Sequence, residues 1–316
     1  MQTRTLGNSD LSVVPLVFGG NVFGWTVDAP AAFALLDAFV DRGFNFVDTA
    51  DVYARWLPGN KGGESEAILG EWFKRSGKRD KVVVATKVGM DMGDGKKGLS
   101  KKYILEAVEA SLKRLQTDRI DLYQSHCDDE STPIAETFEA YQQLIQKGKV
   151  RIIGASNFHG ARLAEAIETA KKDSLPVYQM LQPEYNLYSR QQYETDLAPV
   201  AEKYGLGVIP YFSLASGFLT GKYKTAEDAK GANRESRVRK YFDDRGKRIL
   251  KALDQVEQQT GARQAAISLA WLLAQSTVTA PIASATSTKQ LETLFKAVEL
   301  KLSEEQIKTL NEASSY

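Results

Sequence analysis

Short runs of β-branched and other apolar residues alternate along the chain with longer stretches in which apolar residues recur at three and four. The runs Val13–Phe18, Phe44–Thr49, Val82–Val88, Ile120–Gln124, Val150–Ala155, Val177–Leu181, Gly207–Phe212 and Val278–Ala283 predict eight strands. Between them the spacing predicts helices. Ala67, Ile68, Trp72 and Phe73 form one stripe, and Ile104, Leu105, Val108, Leu112 and Leu115 form another. The segments around Phe33–Phe39, Ile134–Ile145, Leu163–Ala170, Ala266–Leu273 and Leu291–Val298 follow the same period, and a last short helix pattern starts near Ser303. The strand runs are almost continuously apolar, as parallel strands covered on both faces are. Eight strand–helix units with no linker between them favour a closed α/β barrel, a single-domain (β/α)8 TIM barrel over residues 1–316, rather than an open doubly wound sheet. One stretch, Thr225–Lys240, is polar and charged and reads as a long loop after strand seven.

Length and charge narrow the function. A chain of 316 residues suits one large barrel. With 41 Lys+Arg against 40 Asp+Glu, nothing favours a nucleic-acid or membrane surface. No apolar run reaches the ~18–20 residues of a membrane span, and no apolar stretch follows the first residues as in a signal peptide. The lone Cys127 excludes an internal disulfide and fits a reducing, cytoplasmic setting. With only His126, His159 and Cys127 as nitrogen or sulfur ligands, no metal site is expected.

Two glycine patterns approach phosphate motifs without matching them. Gly93–Gly98 has the spacing G-x-G-x-x-G, but the strand before it ends near Val88, several residues early, and Asp118 precedes its strand, so a surface loop is expected. Gly217-x-x-x-Gly221-Lys222 is one residue short of a P-loop and carries Tyr223 where Ser or Thr would bind magnesium. A glycine-rich turn ending in lysine still suits a phosphate held by backbone N–H groups.

Polar residues at the C-terminal ends of barrel strands converge on one mouth. Strand two ends in Asp48-Thr-Ala-Asp51-Val-Tyr53, strand three in Lys87-Val88 and strand four in Gln124-Ser125-His126. Taken singly, Asp48, Tyr53 and His126 each have an ordinary structural role open to them. A lysine ending an apolar strand needs a partner, and Asp48 on the neighbouring strand supplies one. Together the four suit carbonyl reduction. The ammonium is expected to lower the phenol pKa so that Tyr53 becomes the acid, and a neutral His126 to hydrogen-bond the carbonyl oxygen.

At these residues the sequence resembles the aldo-keto reductase superfamily, in its bacterial and potassium-channel-β-like branch. The resemblance runs through Phe46–Tyr53 with Gly63–Gly70, then Gly154-Ala-Ser156-Asn157-Phe158, Gln182-Pro-Glu-Tyr185-Asn186 and Pro210–Lys222. It implies an NAD(P)H-dependent enzyme that reduces small aldehydes or ketones, with Asp48, Tyr53, Lys87 and His126 as catalytic tetrad. It implies that Ser156, Asn157 and Gln182 hold the carboxamide of the cofactor and that Tyr211 stacks on the nicotinamide. Leu214, Gly217 and Lys222 would then embrace the pyrophosphate, with Phe212 contributing through its backbone. Gly20, Asn21, Ser213, Ser284, Thr286 and Gln290 complete the cofactor set.

The sequence departs from the family where Ile282-Ala-Ser284-Ala-Thr286 replaces the usual glycine and basic residue. The cofactor is still expected to be NADPH, with NADH as the alternative. Thr286 and Ser287 start a helix, Lys289 lies near, and Arg237 and Arg239 are within a loop's reach; only Glu292 would favour a free ribose. Trp25 and Trp56, on loops after strands one and two, are expected to line an open substrate pocket with Tyr53 at its floor. No long C-terminal loop is expected to narrow that pocket. A catalytically weak, redox-sensing regulatory subunit is the second reading, though no basic N-terminal extension supports it. A Schiff-base lyase or isomerase using Lys87 is a third, and Asp48 opposes it by keeping the lysine charged.

Overall fold

The computed structural model describes residues 1–316. Eight parallel strands follow one another around a barrel: β1 (Val17–Gly19), β2 (Phe46–Asp48), β3 (Val83–Val88), β4 (Ile120–Ser125), β5 (Val150–Ser156), β6 (Met180–Gln182), β7 (Gly207–Val208) and β8 (Ile282–Ala283), with β8 beside β1. Backbone bonds from Thr279 N to Val208 O (2.8 Å) and from Ile282 N to Pro210 O (3.0 Å) close the ring between β7 and β8. This is a (β/α)8 barrel. A hairpin of Arg4–Thr5 and Ser12–Val13 lies ahead of β1.

Helices α1 (Ala29–Asp41), α2 (Glu64–Ser76), α3 (Lys101–Leu115), α4 (Ile134–Gln146), α5 (Gly160–Lys172) and α6 (Ala198–Tyr204) follow β1 to β6 in turn. After β7 come α7 (Glu235–Arg239), α8 (Asp244–Thr260) and α9 (Gln264–Leu273), and after β8 come α10 (Thr288–Glu299) and α11 (Glu304–Ala313). Side-chain caps open several of them: Asp28, Ser100, Asp243, Ser287 and Ser303 each accept a first-turn amide. No helix is long and apolar enough to cross a membrane.

The core has two parts. The larger lies between sheet and helices. The smaller fills the barrel and contains Val17, Phe46, Val83, Ala85, Leu122, Ile152, Met180, Ile209, Ala280 and Ile282, together with Leu6, Leu11 and Val13 of the hairpin. Side chains on a strand alternate between faces, so each residue two places beyond an interior one joins the next layer of the interior. Phe46 is thus followed by Asp48, Ala85 by Lys87, Leu122 by Gln124, Met180 by Gln182, Ile209 by Tyr211 and Ile282 by Ser284. The polar layer at the mouth is the continuation of the apolar plug beneath it.

Several boundaries differ from those expected. Val13–Phe18 is not one strand: Pro15 cannot donate to a ladder, so Val13 ends the hairpin and β1 starts at Val17. The expected strands at Val177, Gly207 and Val278 shorten to β6, β7 and β8. Thr225–Lys240 is not a structureless loop. It contains a 3-10 turn at Glu227–Ala229 and all of α7, pinned by the fully buried Ala229 and Val238. Two apolar anchors are too few to show a period. By contrast, α8 has a legible stripe in Ile249, Leu250, Leu253 and Val256, and the strand–helix alternation passed over it.

Candidate active site

Asp48, Tyr53 and Lys87 meet at the mouth of the barrel. Lys87 Nζ donates to Asp48 Oδ2 (2.7 Å), to the carbonyl oxygen of Thr49 (2.8 Å) and to the Tyr53 hydroxyl (2.9 Å), which uses all three ammonium protons. The Tyr53 hydroxyl in turn lies 3.3 Å from Asp48 Oδ2. His126 stands across from them with its ring 6.0 Å from that of Tyr53, centroid to centroid. Two glutamines hold the other carboxylate oxygen: Gln182 Nε2 donates to Asp48 Oδ1 at 2.9 Å and Gln124 Nε2 at 3.4 Å. Asp48 and Lys87 are buried, and Asp48 is thereby fully paired.

The electrostatics correct one expectation. Burial and the neighbouring Asp48 charge hold the Tyr53 phenol well above its ordinary pKa, whereas the lysine was expected to lower it. The reason is charge balance. Asp48 sits nearly as close to the phenol as its partner Lys87 does, so the attraction of the ammonium for a phenolate does not outweigh desolvation and the carboxylate charge. Burial lowers the Lys87 pKa and Asp48 opposes that shift. Burial, reinforced by Lys87, pushes His126 well below its usual value, so the imidazole is neutral and its buried Nδ1 has no partner within the chain.

Around the tetrad lie the residues of the expected cofactor set. Asn157, in the left-handed region at φ 55°, donates from Nδ2 to His126 O (2.8 Å) and accepts from the Tyr211 hydroxyl at Oδ1 (2.8 Å). The Ser156 hydroxyl donates to Gln182 O at 2.9 Å. Gln182 therefore also braces Asp48, a second task that its strand-end position did not reveal. On the opposite rim the Ser284 hydroxyl lies 2.7 Å from both Gly19 O and Asn21 Oδ1, beside Gly20, whose missing Cβ leaves room for Asp48 O and the Ser65 hydroxyl.

The turn after β7 fits a phosphate. Phe212 (φ 51°), Ala215 (46°), Ser216 (58°) and Gly217 (103°) all occupy the left-handed region within six residues. Such backbone costs energy at each non-glycine position, and runs of it form concave arrays of amides that bind anions. Asn186 holds the turn by donating to Phe212 O (3.0 Å), and the Ser213 hydroxyl donates to Pro210 O (2.9 Å). Lys222 folds back with its ammonium over the Tyr223 ring and next to Gly217, and it makes no ion pair; Leu214 lies between the strained positions. This donor set fits a dinucleotide: strained amides and a free cation for phosphates, amide and hydroxyl groups beside the tetrad for a carboxamide.

At the adenosine end expected for the cofactor, Thr286 donates from N (2.9 Å) and Oγ1 (3.2 Å) to Gln290 Oε1, and Ser287 caps α10. Arg239 is committed to Glu235 and Glu227, so it leaves the set of cations expected to reach a phosphate. Arg237 instead lies 5.5 Å over the Phe212 ring and pairs with no carboxylate. The Gly93–Gly98 segment is an exposed loop, as expected.

An aromatic wall leads outward from Tyr53. Its ring centroid is 6.2 Å from that of Trp56, and Trp56 meets Trp25 edge-on at 5.6 Å. Arg234, from the segment after β7, caps Trp25 at 5.2 Å. That arginine was missed at the sequence level because nothing in a charged stretch marks which cation folds back. Trp56 remains half exposed.

A parallel barrel with strained amides after β7 and a Lys–Asp–Tyr cluster at its mouth fits an oxidoreductase of the NAD(P)H-dependent, carbonyl-reducing type. The Aldo/keto reductase family model matches residues 15–315, and the chain belongs to that family. It is 38% identical to the uncharacterized oxidoreductase YrpG of Bacillus subtilis (strain 168), over 99% of this chain and 95% of that protein. It is 34% identical to a probable voltage-gated potassium channel subunit beta of Arabidopsis thaliana, covering 95% and 92% of the two chains. It is also 32% identical to the L-glyceraldehyde 3-phosphate reductase of Escherichia coli O157:H7, covering 94% and 88%.

Proposed function

We propose that the chain, residues 1–316 working as one unit, reduces small aldehydes or ketones to alcohols with NADPH, and that Tyr53 is the general acid. The observation that carries this reading is the Tyr53 hydroxyl accepting the third Lys87 proton at 2.9 Å while Asp48 holds the lysine charged. The turn after β7 would hold the phosphates of the cofactor, which when bound would supply hydride for the carbonyl carbon. Tyr53 supplies the proton to the carbonyl oxygen. Because its phenol stays protonated across the neutral range, the acid is present in its competent form before reaction. As negative charge grows on the substrate oxygen, Lys87 stabilises the incipient phenolate and neutral His126 donates a hydrogen bond. Ser156, Asn157 and Gln182 orient the carboxamide, Tyr211 stacks on the ring, and Gly20, Asn21, Ser213, Ser284 and Gln290 line its path.

NADPH is proposed over NADH, resting on Arg237, Lys289 and the hydroxyls of Thr286 and Ser287. Consumption of NADPH in the presence of a nitrobenzaldehyde tests the reading, and its absence with any carbonyl would favour a cofactor-binding regulatory subunit instead. The kcat/KM measured with each cofactor is expected to favour NADPH; equal values or an NADH advantage would mean that the 2′-phosphate has no site. The aromatic wall is proposed to bind the substrate. Trp25→Ala and Trp56→Ala are expected to raise KM about tenfold with kcat little changed, from loss of buried aromatic area. Unchanged KM values would remove both residues from the substrate site.

A further inference from the structure

Behind the tetrad, between sheet and helices, buried charges pair off with one carboxyl left over. Asp48 takes Lys87, whose three protons are spent. Glu66 is saturated as well, accepting from Thr86 Oγ1 (2.6 Å) at Oε1 and from Arg114 Nε (2.6 Å) at Oε2, while Arg114 also donates to Ser111. The remaining acid is Asp51. It is 2% exposed, and no side chain meets either of its carboxyl oxygens. Its amide donates to the carbonyl oxygen of Lys87 at 3.4 Å, which ties it to the strand that carries the lysine. A buried carboxyl group with no cation left to meet it keeps its proton.

We propose that Asp51 is a positioning residue of the tetrad: a carboxyl group held uncharged behind Lys87, whose ionisation makes Tyr53 a weaker acid. The proposal rests on the reductase reading. Asp51 itself touches neither substrate nor cofactor. Burial first, and then the Glu66 charge, push its pKa up to about 8 against the pull of Arg114, the Val52 amide and Lys87. Once ionised, it places a second negative charge near Lys87 and Tyr53, and it raises the proton affinity of both. Lys87 then yields less to a growing phenolate, and Tyr53 gives up its proton less readily.

The other groups facing Asp51 are Glu66 from α2, Tyr103 and Arg114 from α3, Lys87 from β3, Tyr123 from β4 with Cys127 just past it, and Asp48 and Tyr53 on its own segment. Burial pushes Cys127, Tyr103 and Tyr123 upward and His126 downward, away from the window near 8, while Lys87 is lowered from above and is retained in the Asp51 variants, so their profiles separate its titration from that of Asp51.

The test is the pH dependence of kcat for NADPH-dependent aldehyde reduction in the full chain and in Asp51→Asn, with Asp51→Ser as the second variant should the amide pack badly. The wild type is expected to lose about tenfold in kcat as pH rises through 8, with both variants staying level there. Thermal unfolding gives an independent readout. An Asp with a raised folded-state pKa lends stability that is complete below its unfolded value of about 4 and gone above about 8. The Tm difference, variant minus wild type, therefore rises between those limits. Superposed pH–rate profiles with an active wild type, or a Tm difference flat in pH, would overturn this proposal alone. A wild type inactive at about pH 6, where Asp51 holds its proton, would overturn the reductase reading and this proposal with it.

Discussion

Tyr53→Phe is expected to lose about 10²–10⁴ in kcat for carbonyl reduction while NADPH affinity stays nearly unchanged. The substitution deletes one hydroxyl and keeps the ring that stands 6.0 Å from His126 and 6.2 Å from Trp56. The Lys87–Asp48 pair survives, so the variant should fold and bind as before. Steady-state turnover together with a fluorescence titration of NADPH separates the two effects. Turnover like that of the wild type would mean that another group donates the proton.

Lys87→Met does more damage because it breaks a buried ion pair as well as the proton path. Asp48 is 1% exposed, and without Lys87 it keeps the two glutamine amides and the long Tyr53 hydroxyl contact, with no cation beside it. Removing one partner of such a pair costs about 3–5 kcal/mol, where Tyr53→Phe should cost far less. Urea unfolding of both variants measures the contrast. The double variant Asp48→Asn/Lys87→Met should regain much of that stability and none of the activity, since no uncompensated charge remains. Equal stability of Lys87→Met and the wild type would show that Asp48 is not held as an ion in the folded chain.

Much of this site is legible in the sequence because a barrel strand is read with a period of two. Phe46 before Asp48, Ala85 before Lys87 and Met180 before Gln182 mark which residues continue an interior row into the mouth. What alternation does not carry is environment. The Tyr53 pKa depends on how completely Asp48 cancels Lys87, a matter of distances rather than order. Asp51 sits within the same motif, yet its isolation shows only once Glu66 and Arg114 are seen to be taken. Arg239 and Arg234 exchanged prospects for a related reason: one found carboxylates at Glu235 and Glu227, the other an indole at Trp25. Pro15 dividing the first strand, by contrast, was readable from the residue alone.

The central claim is that hydride passes from NADPH to a carbonyl carbon at the mouth of this barrel. NADPH bearing deuterium at both C4 positions of its nicotinamide, incubated with the protein and a nitrobenzaldehyde, tests it directly. The expected product is a nitrobenzyl alcohol with a single deuterium on the carbinol carbon, formed by the wild type and all but absent with Tyr53→Phe. An alcohol without deuterium, or cofactor oxidised with no alcohol formed, would contradict it.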